Sequence, residues 1–138
     1  MRQVEGVGAL TALTFVLTLE DPYRFEKSRM VGAYLGLVPA RDQSGDRDPQ
    51  RRISKEGDEM LRKLLVSSAH YILGPFAKED SDLQRHGQRI ASGGGKNAKK
   101  RAAVAVARKL SVLLHSLWVS AEVYEPLRNT QRSRGQAA

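Results

Sequence analysis

The 138-residue chain contains no cysteine. Disulfides, thiolate-held metals and cysteine nucleophiles are thereby excluded. Its three histidines, His70, His86 and His115, have no metal-ligand spacing, and no His-Asp pair suggests a catalytic triad. Aromatic residues make up only 6% of the chain, so Trp118 and Tyr71 read as packing residues, not base-stacking platforms. No apolar run approaches the about 20 residues needed to span a bilayer. The N-terminus lacks a basic stretch followed by an apolar one, so no secretory signal is visible and a cytoplasmic address is expected. A membrane partner is not expected either, because the basic tail has no apolar stripe to insert.

Hydrophobic residues make up 41% of the chain, and alanine and leucine outnumber β-branched residues in the apolar segments. That balance favours helix over strand. The length suits one domain with a real core. We therefore expect a mainly α, compact bundle of about five helices, with residues 1–127 as the domain and 128–138 as a disordered basic tail. The first helix spans Ala9 to Leu19, where Leu10, Leu13, Thr14 and Leu17 recur near helical spacing. Asp21-Pro22 stops it and opens a short turn. Ser28 is placed as the N-cap of a helix reaching about Leu35, closed by Gly36. Residues 40–57 are polar and turn-rich, a long loop or a short hairpin, and a loop of that length usually has a function.

Asp58 caps the next helix, in which Leu61, Leu64, Leu65, Ser68 and Ile72 form the inward stripe before Gly74-Pro75. A more polar helix is expected around Lys78 to Ala91. Ser92-Gly93-Gly94-Gly95 breaks the chain, and Asn97 then caps the longest helix, which reaches about Ala121. Pro126 ends the fold.

The net charge is +8, and it is unevenly placed. Residues 96–138 hold nine Lys/Arg against two Asp/Glu, an excess of seven, while the rest of the chain is nearly balanced. Localised positive charge points to a polyanion. Lys96, Lys99, Lys100 and Arg101 cluster near a helix start, where cations oppose the helix dipole and an anionic partner would offset that cost. The competing reading is a solvated basic face.

Ser44 stands in the polar loop, in the sequence Gln43-Ser44-Gly45, followed by Arg47, Arg51, Arg52 and Lys55. A loop hydroxyl beside fixed cations can bind or attack a phosphodiester, whose developing charge the cations stabilise. A turn serine capping its own backbone is the bland alternative. Asp42, Ser44, Asp46 and Asp48 alternate like calcium-loop ligands. Arg47 and Ile53 stand where glycine and glutamate are needed, so calcium binding is not expected. Near the N-terminus, Gly6-Val7-Gly8 permits a tight turn whose N–H groups could face a phosphate.

The blocks GVGALTAL, GAYLGLVPARDQSG with ISKEGDEMLRKLL, and GGGKNAKKRAAVAVARKL occur in that order from about Gly6 to Leu127. Together they resemble the C-terminal transposase domain of bacterial insertion-sequence transposases with a DEDD, RuvC-like N-terminal domain. These are the bridge-RNA-guided serine recombinases of the insertion-sequence family numbered one hundred and ten. The resemblance implies DNA transposition or recombination near the bacterial nucleoid, with Ser44 as nucleophile and Lys55 and Arg62 assisting at phosphate. It also implies that Gly6 and Gly8, in a helix-hairpin-helix-like turn, hold nucleic acid together with Arg51, Arg52 and the 96–101 cluster. Glu5 departs from the pattern, since proline usually precedes this Gly-x-Gly. Implied partners are DNA, a guide RNA and further copies of the protein. The chain has no cofactor of its own under this reading; magnesium would belong to the RuvC-like domain, to which nothing here corresponds. The chain is thus expected to be the C-terminal half of a transposase, inactive alone. The alternative is a non-enzymatic nucleic-acid-binding module.

Overall fold

The computed structural model describes residues 1–37 and 56–137. Ser44, Arg51, Arg52, Lys55 and the acidic residues around Ser44 lie outside the described residues, and with them the expected loop or hairpin. Among the described residues there are six α-helices, one 3-10 turn and no strand. The helices are α1 (Ala9–Leu19), α2 (Arg29–Tyr34), α3 (Glu56–Leu73), α4 (Asp82–Ser92), α5 (Ala98–Ser120) and α6 (Arg128–Ala137), and the 3-10 turn is Pro22–Arg24. The mainly helical expectation holds.

α5 is the centre of the bundle, and α2, α3 and α4 all pack on it. Its inward side is small near the start and larger later: Ala102, Ala103, Val106 and Ala107 are buried, then Leu110 and Leu114. Alanines let α4 come close. A Cβ added at Gly87 of α4 would lie 2.7 Å from Val106 Cγ2 and nearer still to Leu73 Cδ2. An 18-residue window of α5 has a mean hydropathy of 1.4, long and apolar enough to cross a bilayer by composition. Its packing against α3 and α4 gives that apolarity a core role.

The punctuation residues act largely as expected. Asp21 accepts a hydrogen bond from Tyr23 N at 2.9 Å, starting the 3-10 turn at Pro22. Gly36 takes a left-handed φ of 75° just past α2. Gly93 caps α4, and Gly94 and Gly95 turn the chain at φ 79° and 98°. α3 buries Leu61, Leu65, Ser68 and Ile72 of the expected stripe, adds Ala69, and leaves Leu64 half-buried.

Six placements differ. α3 begins at Glu56, so Asp58 lies inside it and not at its cap. Asn97 occupies the N-cap position of α5 but makes no side-chain cap bond. Helix α1 forms, but its buried residues are Thr11, Phe15 and Leu19, while Leu10, Leu13 and Leu17 face outward. Leu10, Leu13 and Leu17 recur at the same spacing as Thr11, Thr14 and Thr18, so periodicity alone favours the leucine face; Phe15, edge-on to Trp118 at 6.2 Å, turns the Thr11 side inward. α4 begins at Asp82, not Lys78, because Ser81 Oγ accepts from Gln84 N and Glu5 holds the preceding turn. Ser28 occupies the N-cap position of α2, but its hydroxyl bonds His115 instead of the helix backbone. The stretch after Pro126, expected to lack structure, is helical as α6. Asp82 caps that helix from a distance, accepting from Asn129 N at 2.8 Å and Thr130 N at 3.3 Å.

Candidate nucleic-acid interface

Lys96, Lys99, Lys100 and Arg101 are all exposed around the start of α5. No acidic residue stands in that helix's first turn. Among the described residues the ion pairs are Lys63–Glu59, Arg85–Asp80 and Arg128–Glu122, none of which involves the cluster. Arg101 is partly fixed, since its Nη2 donates to the Gly94 carbonyl at 3.2 Å. The glycine turn therefore has a use beyond breaking the chain: it presents a carbonyl that orients one guanidinium.

Lys100 and Arg101 stand at one end of a groove of about 1060 Å³ that runs along α5. Arg108 and Lys109 line its middle, α4 contributes His86 and Ile90, and residues 123–126 with Arg128 and Asn129 also line it. Leu37, the last residue described before the Ser44 segment, also lines it. The groove joins a cationic rim to an apolar floor. His86 feels that setting, for burial, then Lys109 and Arg89, lower its pKa below the usual 6.5.

Of the other expected site residues, Gly6, Gly8 and Arg62 are among the described residues, and none of them lines this groove. Gly6 has φ +94° and packs on α3, where an added Cβ would lie 3.3 Å from the Ser68 carbonyl, Ile72 and Tyr71. Its freedom serves close approach to a helix backbone. Gly8 is exposed at the N-cap of α1, its carbonyl accepting from Ala12 N at 3.0 Å, and an added Cβ there meets nothing. Residues before α1 form turns. Glu5, the departure from the usual proline, works inside the fold, where its carboxylate accepts from Lys78 N and Glu79 N at 3.0 Å each. Glu79's own pKa is raised, first by burial and then by Glu5.

Arg62 Nη1 donates to the Leu35 carbonyl at 3.4 Å, tying α3 to the C-cap of α2. It thus bridges the two elements that flank residues 38–55. Tyr71 is 42% exposed, with its hydroxyl 3.5 Å from the Phe76 carbonyl, and so is less buried than a core residue. Trp118 is packed, as expected. His70 is exposed on α3, whereas His115 is buried. Sequence reasoning missed the groove and the roles of Glu5 and Asp82, because each depends on contacts between distant segments.

A sequence model of the transposase IS116/IS110/IS902 family matches residues 1–83. The chain belongs to this family. The family match takes in α1 to α3 and the Ser44 segment, so Gly6, Gly8, Ser44, Arg51, Arg52, Lys55 and Arg62 lie within it. The 96–101 cluster lies beyond it. Similarity to individual transposases continues further. The transposase for insertion sequence element IS1111A of Coxiella burnetii is 32% identical over 124 residues, 90% of this chain and 33% of that protein. A probable family 20 transposase of Pseudomonas aeruginosa is 31% identical over 123 residues, 89% of this chain and 36% of the relative. The putative transposase y4pF/y4sB of Sinorhizobium fredii is 30% identical over 138 residues, 99% of this chain and 33% of the relative. The chain thus spans about a third of the length of these relatives. No solved structure matches it.

Proposed function

We propose that this IS116/IS110/IS902-family chain is the C-terminal, nucleic-acid-binding part of a DNA transposase, and that Ser44 is its nucleophile. The family match across residues 1–83 carries the reading, because it spans Ser44 and both flanking helices. In the proposed step, Ser44 Oγ bonds to a DNA phosphorus as the phosphorus–oxygen bond to one deoxyribose breaks. The serine proton leaves to solvent or a base, and the released deoxyribose oxygen takes up a proton. One ester replaces another, so neither water nor an energy-rich cofactor is consumed. Lys55 supplies a point charge and Arg62 a fork for phosphate oxygens.

Arg62's bond to Leu35 supports a second contribution, positioning the flanks of the Ser44 segment. Among the described residues no three His, Asp or Glu side chains gather as a metal site. Under this reading magnesium would be held by a DEDD, RuvC-like domain. DNA and a guide RNA are the proposed ligands of the cationic face around Lys96, Lys99, Lys100 and Arg101, with Arg51 and Arg52. Gly8, exposed at the start of α1, is a further proposed phosphate contact.

The test is a covalent adduct. A serine hydroxyl is a weak nucleophile unless cations or metal stabilise the developing charge. With a family RuvC-like domain supplied, the protein should form a denaturation-resistant protein–DNA adduct. Ser44→Ala should abolish it while leaving DNA binding near wild type. An adduct that survives Ser44→Ala places the nucleophile elsewhere. Nucleic-acid binding with no adduct under any complementation would instead favour the non-enzymatic binding module.

A further inference from the structure

Helix α1, ALTALTFVLTL, contains no charged residue. Its inward face is buried, yet its outward face is just as apolar: Leu10, Leu13 and Leu17 are 57%, 56% and 65% exposed. They fall at i, i+3 and i+7, a single stripe about 10 Å long at roughly 1.5 Å per residue. The threonines of the helix lie off this stripe, so the exposed face is a continuous leucine row of the kind that normally meets a partner. The stripe has no partner among the described residues that would bring these leucines out of water.

The groove on α5 offers the matching surface. Between Arg108 and Leu117, about 14 Å of helix at the same rise, its floor is Val112, Leu113 and Leu117, and Val123 stands 76% exposed on the wall. We infer that the leucine stripe of α1 docks into this half of the groove on a second copy of the chain. Length and polarity match along the contact. Charge sets its direction, because exposed Glu20 follows Leu17 by three residues at the end of α1, and Arg108 and Lys109 line the groove's midpoint. Glu20 against those cations lays the leucines over Val112, Leu113 and Leu117. Lys100 and Arg101, at the opposite end, stay open to a polyanion. The contact is heterologous, stripe to groove, so assemblies extend copy by copy, as a ring where the rotation closes and as an open chain where it does not. It stands independently of Ser44's role.

Sedimentation velocity of the 138-residue chain over a concentration series tests this with two variants, Leu13→Glu in the stripe and Val123→Glu in the groove. Both positions are more than half exposed, so folding should persist, as circular dichroism would verify. Wild type should self-associate, and each variant should raise the dissociation constant by about tenfold to a hundredfold. Mixing the two variants should restore association as one-to-one pairs that grow no further, since one supplies an intact groove and the other an intact stripe. A wild type that stays monomeric at every concentration overturns the inference. So does a Val123→Glu protein that associates like wild type, which would mean stripe meets stripe. A mixture that forms no pairs overturns it as well.

Discussion

His115 shows how a single buried side chain organises three segments. Its Nε2 lies 2.7 Å from the Pro22 carbonyl, which can only accept, so Nε2 carries the proton. Nδ1 then accepts from the Ser28 hydroxyl at 2.8 Å. The ring also meets Phe25 edge-on at 5.8 Å. One imidazole thus fastens the 3-10 turn and the start of α2 to α5. His115→Phe would keep the ring contact but strand the hydroxyl and the carbonyl. We expect a loss of about 1–3 kcal/mol in urea unfolding, and about 1 kcal/mol for Ser28→Ala. A His115→Phe protein as stable as wild type would show that water satisfies both groups. The sequence placed His115 on a helix face and Ser28 at a cap. Neither reading could reveal the bond, because 87 residues separate the pair.

His86 makes a prediction of opposite kind, about charge. Burial, Lys109 and Arg89 hold its folded pKa below 6.5. The unfolded chain therefore binds a proton more readily than the folded one as pH falls below 6.5. The stability tied to neutral His86 is complete above 6.5 and drains away as pH drops through the lower, folded value. Urea midpoints for wild type and His86→Gln should lie closest above pH 6.5 and separate in acid, where wild type loses stability and the variant, with no imidazole to protonate, does not. Parallel pH profiles would place the groove's proton uptake at another group.

At the scale of elements, helix existence was legible and helix facing was not. Asp21-Pro22, Gly36, Gly74-Pro75 and Gly93-Gly94-Gly95 punctuate the chain, and the periodic stretches between them are α1 to α5. α3 could be read down to its stripe because polar residues occupy its other sides. α1 could not, since it has no charged residue and its threonines, one of them the buried Thr11, do not mark the outside. α6 was illegible for another reason: its cap, Asp82, lies 47 residues upstream of Asn129, so no local signal announces it.

Gly87 tests the α4–α5 contact. Alanine in a helix interior is worth up to about 1 kcal/mol over glycine by propensity. Here the added methyl would press on Val106, itself fully buried and unable to swing aside, and on Leu73. Overpacking of that kind costs about 1–3 kcal/mol, so the steric effect should win and Gly87→Ala should lower the thermal midpoint. A raised midpoint would mean that α4 rides further from α5 than 2.7 Å implies.

The whole molecule is a neutral bundle with a charged end. Seven of its eight net positive charges fall in residues 96–138. The position of the cluster was legible from composition alone, because charge runs do not depend on the fold. What the sequence could not say was that these cations border an apolar groove, or that Gly6 and Arg62 are engaged by α3 and the end of α2. Those facts separate two kinds of expected contact residue. Gly6→Ala should harm folding first, through the strained φ and the α3 backbone. The lysines should affect binding only.

Counterion release gives that second statement a number. Each cation neutralising a B-DNA phosphate contributes about 0.9 to the slope of log affinity against log salt. Replacing Lys96, Lys99, Lys100 and Arg101 together by alanine should therefore flatten the slope by about three to four, and weaken binding to all sequences alike. Stability should change little, because the four side chains are exposed and their one fixed bond is Arg101 to Gly94. Loss of affinity at an unchanged slope would mean that the substitutions disturbed the bundle without removing phosphate contacts. An unchanged affinity and slope would return the cluster to a solvated face, leaving polyanion binding to Arg108, Lys109 or the arginines around Ser44.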